Sequence, residues 1–273
     1  MDKISLLIEI MESAEEYVLK NESPYFIMPD YEYFREVVTL FAKQQNLVES
    51  TLLLLDNNHN EEAMVLARSV LNNYFLIGYL LNDPDKSHIK EYQLQTFISE
   101  LYYNKKLKTI LNGAFGTYLK DSGKTLAFTE NDIDRKIAFL EQEIINAGFS
   151  KDTRPLKIID LAKSADERGF ELYVAFYTTA SKFEHSDIST LDIYKQKILD
   201  DVSNNEVFQL DKNRTDEKLK EKVLSIIITA YSQSLFKIIE EITINQPHLK
   251  NSYDVSELLR IGEELLYFNN LDA

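Results

Sequence analysis

Cysteine is absent from this chain, and that absence removes disulfides, thiolate metal sites and cysteine nucleophiles together. Backbone breakers are scarce too, with seven glycines and five prolines in 273 residues. With so little punctuation, the dominant hydrophobic period along the chain is helical. Positive charge is outnumbered: 30 Lys and Arg face 45 Asp and Glu, a formal net charge of −15. Such a mean field repels polyanions and argues against a general nucleic-acid or anionic-membrane binder. The N-terminus, MDKISLLIEIMESAEEYVLK, lacks the basic start and continuous apolar core of a signal peptide. A cytoplasmic, soluble protein is the expectation.

Chemical motifs are missing as well. There is no Walker loop, dinucleotide-binding glycine pattern, nucleophile elbow or zinc-protease helix. A di-metal helical bundle needs Glu-x-x-His pairs, but Lys182 stands three residues before His185. His59 with Glu61 and Glu62 reads as an acidic helix start, where the dipole accounts for the carboxylates without an ion. Neither metal nor cofactor is expected.

Against this background one charge stands out. Residues 63–81 read AMVLARSVLNNYFLIGYLL, with Arg68 the single charge among them. Its polar companions are Ser69, Asn72 and Asn73, and at about 100° per residue the four share an arc of roughly 140° on one helix face. A guanidinium stays charged at neutral pH, so inside a protein it needs a carboxylate, carbonyls or a bound anion. The run is near the length of a membrane span, but Arg68 and two asparagines at its centre would be costly there.

The periodicity predicts helices over 3–19, from Asp30 to about Asp56, and from the Asn57–Asn60 turn to Leu81. The last two form an antiparallel hairpin. Another follows over 86–112, with Ile89, Tyr92, Phe97, Leu101 and Leu107 facing inward. Residues 113–128 read as a flexible loop. Thr129 and Asp132 resemble a capping box opening a helix to about Ala147. Pro155 suits the start of a helix that Gly169 ends, and a further helix spans about 170–186. After an irregular stretch from Asp200 to Arg214, helices are expected over 216–243 and 254–268. The VFQL piece near 207 reads as too isolated to make a sheet. The fold expected is all-α: a multi-helix bundle of about eight to nine helices in antiparallel hairpins, as one domain over 1–273. The alternative organisation is a hairpin core over 1–112 and a second helical half over 129–273.

The 170–186 helix carries the other polar feature. Tyr177, Ser181 and His185 fall at i, i+4 and i+8 and line one stripe, which Tyr173 extends. A histidine near a helix C-terminus has its cationic form favoured by the dipole. The plainer reading of His185 is a hydrogen-bonding helix-end residue.

Arg68 and Ser69 in LARSVLNNYFLIGYLL, followed by Tyr177, Ser181 and His185 in ELYVAFYTTASKFEHSD, resemble a bacterial family of unknown function, the domain numbered five-six-seven-seven. The order and separation of the segments agree over roughly residues 45 to 195. The family pattern has a glutamate one turn after the arginine, as R-S-x-x-E, where this chain has Asn72. The arginine's neighbouring carboxylate is therefore absent, and a mechanism needing one at that position does not carry over. The family carries no assigned activity, so the resemblance implies none.

Three functions compete. The first is a binding or interaction module whose Arg68 pocket takes a small anionic ligand, Ser69, Asn72, Asn73, Tyr177 and Ser181 contributing contacts. The second is metal-independent RNA cleavage within a toxin or antiviral-defence setting, with Arg68 gripping phosphate and His185 acting as general base. Helical nucleases of that kind carry R-x(4–6)-H on one helix, and no arginine here is followed by a histidine at that spacing. The third is a structural protein, a homodimer or a subunit engaging a protein partner, in which Arg68 is paired to a buried acid. The binding or interaction reading is favoured.

Overall fold

The computed structural model describes residues 3–20, 31–124, 129–199, 206–245 and 253–270, and over these the fold is all-α, a multi-helix bundle. Helix α1 spans Lys3–Tyr17, α2 Glu32–Asp56 and α3 Asn60–Leu81. The expected turn between α2 and α3 is tight, with Asn58 in the left-handed region at φ 59°. The two helices pack along their lengths as the expected hairpin. Residues 21–30, between the first two expected helices, lie outside the described residues.

Helix α4 covers His88–Leu111, α5 Ala114–Asp121 and α6 Glu130–Asn146. The buried stripe of α4 is Leu94, Ile98 and Leu101, at i, i+4 and i+7, packed on Leu140 and Ile144 of α6. Of the expected inward residues Ile89 and Leu101 are buried, whereas Tyr92, Phe97 and Leu107 are half-buried. The capping box forms as read: Thr129 Oγ1 accepts from the Asp132 backbone N–H, and Asp132 accepts from the Thr129 N–H at 2.8 Å.

Helices α7 (Ile158–Ala165) and α8 (Glu167–Leu172) lead into a π-helical turn over Tyr173–Tyr177 and then α9, Thr178–Glu184. A short α10 (Ile188–Leu191) precedes strands β1 (Lys195–Leu199) and β2 (Glu206–Leu210). Helix α11, Glu217–Glu240, ends in a second π turn over Glu241–Asn245, and α12 spans Val255–Asn270.

Three expectations are corrected. The segment read as a loop over 113–128 contains α5, while 125–128 lie outside the described residues. Its glycines looked like breakers, but Gly116 is there for space. A Cβ on it would come within 1.6 Å of the Leu111 carbonyl oxygen, so only glycine lets the new helix start against the end of α4. Gly169 does not terminate a helix either. It lies inside α8, where a Cβ would meet the Ala162 carbonyl oxygen at 2.7 Å, and the break falls earlier, at Asp166. VFQL is not isolated: β2 pairs antiparallel with β1, Lys195 opposite Leu210 and Leu199 opposite Glu206. A strand is stable only with its partner, and the KQKIL segment that supplies one has no strong strand signal alone.

The described residues fall into two compact units, one built from 1–84 with 158–273 and the other from 85–157. The second is thus a continuous segment inserted into the sequence of the first. Pro84, three residues past the end of α3, and Pro155 lie near its borders; Pro155 does not open a helix as expected, since α7 starts at Ile158.

In the first unit α3 is central, packed by α2, α7, α9 and α11. Ala67, Val70, Leu71, Tyr74, Phe75 and Ile77 are all fully buried on it. Gly78 lets α7 approach: a Cβ there would lie 2.6 Å from the Ala165 Cβ and 2.8 Å from its Cα. Helix α3 and the stretch from Glu217 to Asn245 are long and apolar enough to cross a bilayer, but most of each is buried within the protein as core.

Candidate functional site

Helix α3 delivers Arg68 to the edge of the core, and the segment from α8 to α9 passes over it. The guanidinium Nη1 is ion-paired with Glu184 Oε2, and Nη2 donates to the Tyr177 hydroxyl at 2.8 Å. The Arg68 Cζ also sits 4.8 Å from the centre of the Tyr177 ring, a distance at which the cation is attracted by the ring face. Glu184 Oε2 is shared: His185 Nε2 lies 3.4 Å from it. Exposure rises outward through the trio, the side chains being 16% exposed at Arg68, 38% at Glu184 and 71% at His185. An interior cation is thus connected through one carboxylate to an imidazole in solvent.

Local backbone geometry positions the tyrosine. Residues 173–177 take a π turn, which inserts an extra residue into the helical repeat and is a frequent feature of functional sites. Tyr173 stacks on Tyr177 with ring centres 5.1 Å apart and planes at 18°, and Phe75 of α3 tilts against Tyr177 at 6.2 Å. The Tyr177 ring is held on two sides, so its hydroxyl meets the guanidinium without further ordering.

The same segment is anchored at its other end. The Asp166 side chain caps α8, accepting from the Gly169 N–H at 2.5 Å. It also accepts from the Tyr74 hydroxyl at 2.9 and 3.0 Å and pairs with Lys237 Nζ of α11 at 2.8 Å. Burial pushes the Asp166 carboxyl up, but the Lys237 ammonium, the Gly169 N–H and the Tyr74 hydroxyl together hold it below the ordinary range. Burial, with the Asp166 charge beside it, pushes the Tyr74 hydroxyl far above its usual value. Arg68 and Tyr74 lie on one helix and fix opposite ends of the site segment.

Of the residues singled out in the sequence, Arg68, Tyr177 and His185 meet at one place. Ser181 is half-buried on α9 between Tyr177 and Glu184, and Ser69 is half-buried on α3. Asn72 is half-buried one turn beyond Arg68, while Asn73 is buried and donates to the Leu40 carbonyl of α2 at 3.4 Å. Asn73 therefore serves the α2–α3 contact and not the site. Two polar atoms of these residues remain unsatisfied: the Arg68 Nε and, one turn along the helix, the Asn72 Oδ1, a donor and an acceptor, are buried without a hydrogen-bond partner. Among the described residues no group of three or more His, Asp or Glu side chains is placed to hold a metal ion.

Glu184 is the residue that sequence reasoning missed, and it supplies the carboxylate that Asn72 does not. The signal was present. Seven residues after Tyr177, Glu184 lies within about 20° of it around an α-helix, whereas His185 is rotated by about 80°. The Asp166–Lys237 and Asp166–Tyr74 contacts gave no comparable signal, because they join different helices.

Residues 36–206 match the family described as "Family of unknown function (DUF5677)", a span covering more than half the chain and including Arg68, Tyr177, Glu184 and His185. No curated protein and no solved structure matches the chain.

Proposed function

Since the chain belongs to the DUF5677 family, which carries no assigned activity, we propose from its own site that it is a binding or interaction module. On this reading the Arg68 cluster recognises a small anionic ligand. The observation that carries it is the incomplete satisfaction of Arg68: its Nε and the neighbouring Asn72 Oδ1 are buried without partners, while its carboxylate partner is the half-exposed Glu184. A phosphate or carboxylate entering from the solvent side replaces Glu184 on the guanidinium, as a bidentate acceptor suits that fork. Glu184 then turns towards His185, whose Nε2 already lies 3.4 Å from its Oε2. Buried donors and acceptors left unpaired cost about 1–3 kcal/mol each, so a ligand gains if its anionic oxygen accepts from the Arg68 Nε–H and a hydroxyl it carries donates to the Asn72 Oδ1.

The test is calorimetric titration with inorganic phosphate and adenosine monophosphate. Removing the competing carboxylate by Glu184→Gln should tighten binding, and Arg68→Lys, which keeps the charge but loses the fork, should weaken it about tenfold. Binding indifferent to both substitutions, or no binding of either probe, refutes the reading.

A second reading, metal-independent RNA cleavage, draws on the imidazole and guanidinium flanking one carboxylate oxygen, an arrangement that would place an acid–base group beside a phosphate. Turnover of a labelled single-stranded RNA that disappears in His185→Ala would favour it. A net charge of −15 weighs against it. An aqueous, cytoplasmic setting and association with a protein partner or a second copy go with the interaction reading. So would a place in a toxin or antiviral complex, each to be tested by fractionation and co-purification.

A further inference from the structure

A cavity of about 580 Å³ opens between α1 and α2, on elements that contribute nothing to the Arg68 cluster. Its walls belong to different packing pairs, since α1 lies against α12 while α2 lies against α3 and α11. Met11, Leu52 and Leu55 line it, and Ile8 and Leu53 stand at its mouth, 43% and 66% exposed. The lining runs from Ile4 to Glu15 on α1 and from Gln45 to Asp56 on α2. At 1.5 Å per residue each wall is about 16 Å long, three helical turns. Among the described residues four carboxylates border it, Glu12 and Glu15 from α1 and Glu49 and Asp56 from α2, and Lys220 of α11 is the one cation in the lining.

We propose that this groove docks an amphipathic basic helix of a partner protein, its apolar face on Met11, Leu52 and Leu53 and its lysines or arginines against the four carboxylates. An apolar trough three turns long takes the i, i+3, i+4 and i+7 anchors of such a helix. Exposed leucine and isoleucine at the mouth give those anchors more apolar area to cover. Charge selects the occupant. The rim is acidic on both walls, so a basic flank is attracted and an acidic one repelled. A second copy of this chain is disfavoured on the same ground, because it brings its own net charge of −15.

The test uses the full chain, with methionine methyl groups labelled with carbon-13, and two 14-residue helical peptides. Both carry leucine at the anchor spacing, and the remaining positions are lysine in one and glutamate in the other. The lysine peptide should bind at physiological salt and shift the Met11 methyl signal, and the glutamate peptide should not. Ile8→Asp with Leu53→Asp, both at exposed positions and checked for an unchanged melting temperature, should weaken binding about tenfold or more. Glu12→Lys with Glu49→Lys should reverse the preference between the peptides. Arg68→Lys should leave peptide binding unchanged, which separates this surface from the anion site.

Equal binding of the lysine peptide to wild type and to the Ile8/Leu53 variant would mean general attraction to an acidic protein, and would overturn the proposal. A Met11 shift with octylammonium but not with the peptide would overturn it in favour of a small cationic amphiphile. A dimer in sedimentation that Leu53→Asp dissociates, with no peptide binding, would assign the groove to a second copy. No shift of Met11 with any probe would leave the groove without this role.

Discussion

Replacing Asp166 by alanine should be the most damaging single change near the site, and its magnitude follows from what the carboxylate holds. The cap on the Gly169 N–H is worth about 1 kcal/mol. Tyr74 is fully buried, and without its acceptor its hydroxyl is left unsatisfied at about 1–3 kcal/mol. Lys237, mostly buried, loses its partner as well, a charged contact worth about 1 kcal/mol or more. A destabilisation of about 3–5 kcal/mol is expected, measured by urea unfolding with the slope checked for constancy. Asp166→Asn, which keeps an acceptor for the cap and for Tyr74, should lose less than half of that. Tyr74→Phe alone should cost about 1 kcal/mol, and in a double-mutant cycle with Asp166→Ala the two should couple by at least 1 kcal/mol. The pH dependence has a defined sign. A carboxyl held below its ordinary value contributes stability that is complete above the unfolded value, about 3.9, and is lost as pH falls through the lower folded value. The difference between wild type and Asp166→Ala should therefore be constant from neutrality to about pH 5 and shrink below about pH 4. An Asp166→Ala cost under 1 kcal/mol, or additive effects with Tyr74→Phe, would refute this account of how the site segment is held.

Gly78→Ala should destabilise by about 1–3 kcal/mol, because its Cβ would meet the Ala165 backbone at 2.8 Å and α7 must move away; thermal unfolding would read the change. Thr129→Ala should cost about 1 kcal/mol by removing the capping box, measurable as faster hydrogen exchange in the first turn of α6. Arg68→Met should be tolerated better than Arg68→Ala in thermal unfolding, since the longer side chain still covers the Tyr177 ring and Glu184 is exposed enough to be solvated alone.

Much of the architecture was legible because it rests on local periodicity. The α2–α3 hairpin needs only two apolar helical runs and the polar 57–60 turn, and both are written in adjacent residues. The Thr129–Asp132 box is likewise a three-residue relation. The candidate site was half legible. A lone arginine in an apolar helix announces that a partner exists, since a buried guanidinium cannot shed its charge, but the partner sits on a helix more than a hundred residues away. The stripe Tyr177, Ser181, His185 runs at i, i+4 and i+8, whereas the i+7 residue, Glu184, carries the contact with Arg68.

Composition and spacing by themselves determined that the protein is helical and that Arg68, a lone charge in an apolar helix, needs a partner. Tertiary structure alone decided that Glu184 is the pairing carboxylate, that Asp166 joins three helices, and that Gly78, Gly116 and Gly169 are there for close approach and not for turns. The physical reason is range. Helix formation and capping act between residues three or four apart and leave a periodic trace. Ion pairing, steric approach and groove shape act between surfaces brought together only by folding, and leave no pattern in the residues that make them.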